Sequence, residues 1–133
     1  MPSIFTRIIN REIPGYIVAE DEKYIAFLDI NPLVVGHTLV VPKQEIDYIF
    51  DLDDKALADL NVFAKKVARA IQSVVPCKRI GVAVIGLEVP HTHIHLVPMT
   101  TVGDINFTRP KLTPSKEVLA EVAVKIKSAL SLE

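Results

Sequence analysis

Residues 90–98 read PHTHIHLVP, with histidines at 91, 93 and 95 and apolar residues between and after them. Successive side chains of a β-strand point to opposite faces, so this period of two predicts a strand over residues 92–98. His91, His93 and His95 then share one face, each ~6.5–7 Å from the next, while Thr92, Ile94 and Leu96 share the other. The chain has four histidines in all. Most of its imidazole is therefore concentrated on one surface.

Such a strand needs partners, and the flanking sequence supplies them. RIGVAVI (79–85) precedes it, and GHTLVVP (36–42) is rich in β-branched residues; YIVAE (16–20) and KYIAFLDI (23–30) read as two strands joined through a polar Asp-Glu turn. Between these runs, Leu57, Leu60, Phe63, Val67, Ile71 and Val74 recur at steps of three and four, which predicts a long helix from about Asp53 to Val75, closed by Pro76. Ile4, Phe5, Ile8 and Ile9 space a short amphipathic helix, ended by Pro14 and Gly15. A last helix is expected over about 114–130, with Thr113 as its N-cap, Pro114 in its first turn, and Leu119, Val122, Ile126 and Leu130 on one face. Strands joined mostly by hairpins, with helices segregated from them, indicate an α+β fold: an antiparallel sheet of about five strands, one long central helix, and short N-terminal and C-terminal helices. No repeat, linker or low-complexity stretch divides the chain. With 133 residues, 50% of them hydrophobic, it suits one domain over 1–133.

Charge and composition exclude several classes of function. Fifteen Lys and Arg against sixteen Asp and Glu leave no basic excess for a nucleic-acid polymer. The single cysteine, Cys77, allows no internal disulfide. The first residues, MPSIFTRIINREIP, lack the apolar core of a signal peptide, and no stretch offers the ~20 apolar residues that a membrane span requires. A cytoplasmic protein without membrane association is expected, and a mean hydropathy of +0.33 reports a rich core.

Three readings of the histidine row compete. A solvated face would place histidines by chance, which their clustering opposes. A metal site is open to neutral imidazole, but structural zinc in small proteins usually enlists thiolates, and Cys77 lies far off at the end of the long helix. In acid-base or nucleophilic chemistry, a row of imidazoles supplies a nucleophile, a proton donor and a group that fixes the tautomer.

Residues 91–97, HTHIHLV, resemble the signature of the histidine triad (HIT) proteins. The likeness extends to Asp29, Ile30, Asn31 and Pro32, to GHTLVVPK, and over residues 3–98 as a whole, where it is closest to the Hint-like nucleotide-binding branch. That resemblance implies an enzyme that needs no cofactor and cleaves a nucleoside phosphoramidate or related nucleoside phosphate at the α-phosphate, through a nucleotidyl-histidine intermediate on His93. His95 would hydrogen-bond the phosphate oxygens, His91 would support the row, and His37 would join the triad from an adjacent strand. Asp29 would receive the ribose hydroxyls, with Ile4, Phe5, Ile8, Phe27 and Ile30 forming a slot for a purine base. Spacing alone places those apolar residues in a core, and Asp29 alone reads equally as a turn cap. The family also implies a homodimer.

Departures from the family pattern have consequences. Relatives that bind structural zinc begin with Cys-x-x-Cys and carry a histidine after the Pro-Lys pair; here these positions read Ser3, Thr6 and Glu45, so no metal is expected. Upstream of the triad, where a polar Gln is common, stand Gly86, Leu87, Glu88 and Val89. Leu87 donates no hydrogen bond, leaving Glu88 or a backbone amide near the phosphate. Two other functions therefore stay open: a module that binds purine nucleotides without turning them over, and a dinucleoside polyphosphate hydrolase. Lys43 is the one basic residue that the sequence brings near the site, and residues 99–133 show no chemistry.

Overall fold

A computed structural model describes residues 2–131. It contains α1 (Ile4–Ile9), β1 (Ile17–Glu20), β2 (Tyr24–Leu28), β3 (Thr38–Pro42), α2 (Asp54–Val74), β4 (Arg79–Ala83), β5 (Ile94–Met99) and α3 (Lys116–Leu130), with short 3-10 turns at Ile49–Asp51 and Val102–Ile105. The five strands form one antiparallel sheet in the order β1-β2-β3-β5-β4. This is the expected α+β architecture.

Both faces of the sheet are covered, which is why β2 and β3 are buried at every position rather than at alternate ones. Tyr24, Ala26, Leu28, Val40, Ile94 and Leu96 pack beneath α2 and α3 in the main core. Their alternates, Ile25, Phe27, Leu39 and Val41, form a smaller cluster with Phe5 of α1 on the opposite face. The long helix turns Leu60, Ala64, Val67 and Ile71 inward at the predicted spacing, and the Asp53 carboxylate caps it by accepting from the Ala56 N–H at 2.8 Å. The β1–β2 turn is held by Asp21, whose Oδ1 accepts from the Lys23 and Tyr24 amides.

Three boundaries differ from the sequence reading. The first helix stops at Ile9, before Pro14 and Gly15, because Arg11 adopts a left-handed φ of 61° while the Asn10 and Arg11 amides close onto Thr6 and Ile8. The last helix is capped by Ser115, whose hydroxyl accepts from the Val118 N–H, so Thr113 and Pro114 precede it. The triad strand begins at Ile94 rather than Thr92. Continuing the β3–β5 ladder would bring residue 92 opposite Pro42, which has no N–H to offer. Thr92 turns instead to the loop after β3, its amide and hydroxyl both donating to the Ile46 carbonyl at 2.7 Å.

Candidate active site

The face of the sheet that carries α1 also carries the histidines. His95 lies on β5 between Leu39 of β3 and Ala83 of β4. His93 and His91 precede the strand yet keep the row: the His93 and His95 ring centroids are 4.8 Å apart, and Phe5 packs edge-on against His93 and His91. His37 joins from the turn before β3. Gly36, at φ +99°, makes that turn; a side chain there would be strained and would crowd Val75 and Pro98.

Hydrogen bonds determine where each ring carries its proton. The His93 Nδ1–H donates to the His91 carbonyl at 2.7 Å, so in the neutral ring Nε2 is the free lone pair. His37 Nδ1 accepts from the Leu33 N–H at 3.1 Å, which leaves its proton on Nε2. That proton is donated to His95 Nδ1 at 2.9 Å, and His95 therefore holds its own on Nε2. Burial pushes His37 down to about 4 and His95 down to about 3, with the neighbouring positive charges adding to the effect, so both are neutral at physiological pH. The row thus offers one ring nitrogen as an electron-pair donor, on His93, beside one N–H donor, on His95.

A cavity of about 670 Å³ opens over these groups, within the range usual for small-molecule sites. Ile4, Phe5, Ile8, Phe27, Asp29, Ile30, Glu88, His93 and His95 all line it. Phe5 and Phe27 belong at once to the smaller core cluster and to the cavity wall, while Ile4 and Ile30, also on the wall, are about half exposed. Asp29 serves as both turn cap and wall: Oδ1 accepts from the Asn31 N–H, and Oδ2 lies 3.9 Å from His37 Nε2. Its burial raises the carboxyl above the usual range.

Two of the four histidines, His37 and His91, do not line the cavity. His37 acts behind His95. His91, fully buried, donates from Nε2 to the Pro42 carbonyl and accepts at Nδ1 from the Ser3 hydroxyl, both at 2.7 Å. Glu45 completes this cluster by accepting from the Ser3 N–H and the Thr6 hydroxyl at 2.6 Å. Ser3, Thr6, Glu45 and His91 are therefore gathered in one place, but as a hydrogen-bonded network. Two hydroxyls are poor zinc ligands, and the His91 lone pair is already taken, so the donor set does not fit the structural metal of the zinc-binding relatives. A second cluster, Asp29, His37 and His95, brings ligand-type atoms within 4.8 Å of one another, although the His37 Nε2–H occupies the gap.

Two residues were missed by sequence reasoning. Phe107 and Lys111 both line the cavity, from a segment that had shown no chemistry. Lys43, in contrast, pairs with Glu20 at 2.7 Å and does not line it. Leu87, 88% exposed, lines the cavity beside Gly86, Glu88 and Val89 but has no hydrogen-bonding group to offer, leaving Glu88 and the local backbone as the polar groups there.

Comparison with known proteins identifies the family. The HIT domain pattern matches residues 10–102. An uncharacterised HIT-like protein of Borreliella burgdorferi is 37% identical over 131 residues, covering 92% of this chain and 94% of that one. An adenosine 5'-monophosphoramidase of Saccharomyces cerevisiae is 35% identical over 96 residues, covering 71% and 61% of the two chains. The crystal structure of a HIT-like protein from Bartonella henselae superimposes with a TM-score of 0.83 at 32% identity, over 96% of this chain and 95% of that one. Matched over most of its length in sequence and in fold, the chain belongs to the HIT family.

Proposed function

We propose that the protein is a nucleotidyl hydrolase, cleaving a nucleoside phosphoramidate or a related nucleoside phosphate at the α-phosphate through a covalent intermediate on His93. The observation that carries this reading is the 2.7 Å hydrogen bond from His93 Nδ1 to the His91 carbonyl, which leaves Nε2 as a nucleophile inside the cavity. The phosphoramidase activity of the yeast relative supports the substrate class. The purine occupies the slot formed by Ile4, Phe5, Ile8, Phe27 and Ile30, and Asp29 receives the ribose hydroxyls.

In the first half-reaction the Nε2 pair bonds phosphorus as the bond to the leaving nitrogen breaks. That nitrogen keeps the bond pair and departs as the amine, with one proton drawn from solvent at the cavity mouth. His95 Nε2–H meanwhile donates to a phosphate oxygen, its direction set by His37 and Leu33 behind it. In the second half, water oxygen bonds phosphorus, the pair returns to Nε2, and one proton goes back to solvent. Two displacements replace a single difficult one.

The experiment mixes the protein with adenosine phosphoramidate, follows AMP release, and looks for an adduct of one nucleotidyl group by intact-protein mass spectrometry. Native protein is expected to release AMP, and His93→Ala to release none while still binding AMP. Unchanged turnover in His93→Ala overturns the nucleophile. Binding without AMP or adduct, for phosphoramidates and dinucleoside polyphosphates alike, would instead favour a nucleotide-binding module.

A homodimer is part of the same proposal. β4 is an edge strand, and Val82, Val84 and Ile85 on and beside it are exposed apolar residues that a partner strand would cover. Sedimentation at micromolar concentration tests it, and a 14.7 kDa species would count against it.

A further inference from the structure

The segment after β5 crosses the cavity at its His37–His95 end. It leaves the sheet through the 3-10 turn Val102–Ile105, closed by a capping box between Thr101 and Asp104. Its far end is tied to the loop that follows Asp29, where the Leu112 N–H donates to the Pro32 carbonyl at 2.9 Å. Between these anchors, the Phe107 ring packs edge-on against both His95 and His37, with centroids 4.7 Å and 6.2 Å apart. Lys111 donates to the Phe107 carbonyl at 2.8 Å, and its ammonium lies 5.6 Å from the Phe107 ring centroid.

Charge gives this arrangement its meaning. Among the described residues that line the cavity, Lys111 is the one Lys or Arg, facing the acidic Asp29 and Glu88. One of its three N–H donors goes to the Phe107 carbonyl, and no carboxylate lies within ion-pair distance among the described residues. Its place beside the Phe107 ring, which packs on His95, sets the ammonium at the His95 end of the cavity, and its positive charge bears on Asp29, His37 and His95 alike. A phosphate entering there meets two carboxylates, and the neutral His95 ring offers it a dipole rather than a charge.

We infer that Lys111, delivered over the triad by the 106–112 segment, is the residue that binds the phosphate charge of the nucleotide. This rests on the nucleotide reading of the cavity and deepens it. The assignment is to the anion and not to the nucleoside, so the two ligands to compare are AMP and adenosine, which differ in that group alone.

Calorimetric titration of the native protein, Lys111→Gln and Lys111→Arg with AMP and with adenosine tests the inference. Lys111 is exposed, and circular dichroism and thermal midpoints of the variants establish that they fold. Lys111→Gln is expected to weaken AMP binding about tenfold, the loss of one charge-assisted hydrogen bond, and to leave adenosine binding unchanged. Lys111→Arg is expected to recover most of the loss, and the native preference for AMP over adenosine to shrink with added salt while that of Lys111→Gln shrinks less. Equal weakening of both ligands would make Lys111 a support for the segment, and no weakening of AMP would remove it from the site; either overturns the inference. A failure of the hydrolase reading is separable, because it appears as absent AMP release from phosphoramidate whatever the behaviour of Lys111→Gln.

Discussion

Lowering the pH from 7.5 to 5.0 should cost this protein a large share of its stability, through two histidines that touch each other. His37 and His95 are buried and linked by a 2.9 Å hydrogen bond, and their folded values fall to about 4 and about 3 from an ordinary 6.5. The unfolded chain takes up protons as pH falls through 6.5, while the folded chain refuses them until it reaches those lower values. Stability from each ring is complete above about pH 6.5 and is lost as pH falls toward the folded value. At pH 5.0 the unfolded form of each ring is almost fully protonated and the folded form is not, so each costs about 2 kcal/mol and the pair about 4 kcal/mol relative to pH 7.5. Against a typical total of about 5–15 kcal/mol, that approaches unfolding.

Other groups around the pair modify this figure without reversing it. His91, also lowered by burial, adds in the same direction. Asp29, 3.9 Å from His37, is raised by burial, so acid favours its folded form and subtracts from the loss. Glu20, Glu45 and Asp104, lowered by their hydrogen bonds, contribute losses that begin only near their ordinary values of 4.5 for the glutamates and 3.8 for the aspartate. Urea denaturation at pH 7.5, 6.5, 5.5 and 5.0, at one fixed protein concentration, measures the slope directly. The unfolding free energy should fall by several kcal/mol at constant m, and His95→Gln should reduce the slope by about half. A difference below about 1 kcal/mol between pH 7.5 and 5.0 would refute the neutral, hydrogen-bonded His37–His95 pair on which the assignment of the His95 donor depends.

Two further outcomes are expected of the network around His91. Ser3→Ala removes both the cap of α1 and the donor to the buried His91 Nδ1, so it should cost about 2–4 kcal/mol in urea denaturation, whereas Ser115→Ala, which removes a cap alone on the exposed start of α3, should cost about 1 kcal/mol; equal losses would show that the His91 contact contributes nothing. Because Ser3, Thr6, Glu45 and His91 already satisfy one another, dialysis against a chelator should leave the thermal midpoint unchanged, and a fall of several degrees would reveal a resident metal.

How much of this site is legible in the sequence depends on how local each constraint is. The triad, β2, β3 and α2 are readable because burial imposes a period on neighbouring residues, and His37 and Asp29 because they sit in motifs with a fixed order. Boundaries are less legible: the start of β5 is moved two residues by Pro42, fifty positions away, which cannot donate across the sheet. The tautomers are illegible, since they depend on a Leu33 amide and a His91 carbonyl that any residue at those positions would provide. Least legible is the segment over the cavity. NFTRPKL carries no period and no motif, and Lys111 reads as one more surface lysine. What gives it a role is a single backbone hydrogen bond between Leu112 and Pro32, eighty residues apart, together with the edge of Phe107 against His95. The histidine row from which the proposed nucleophile comes is therefore visible in nine consecutive residues, but the cation proposed to meet the phosphate emerges only after the chain has closed on itself.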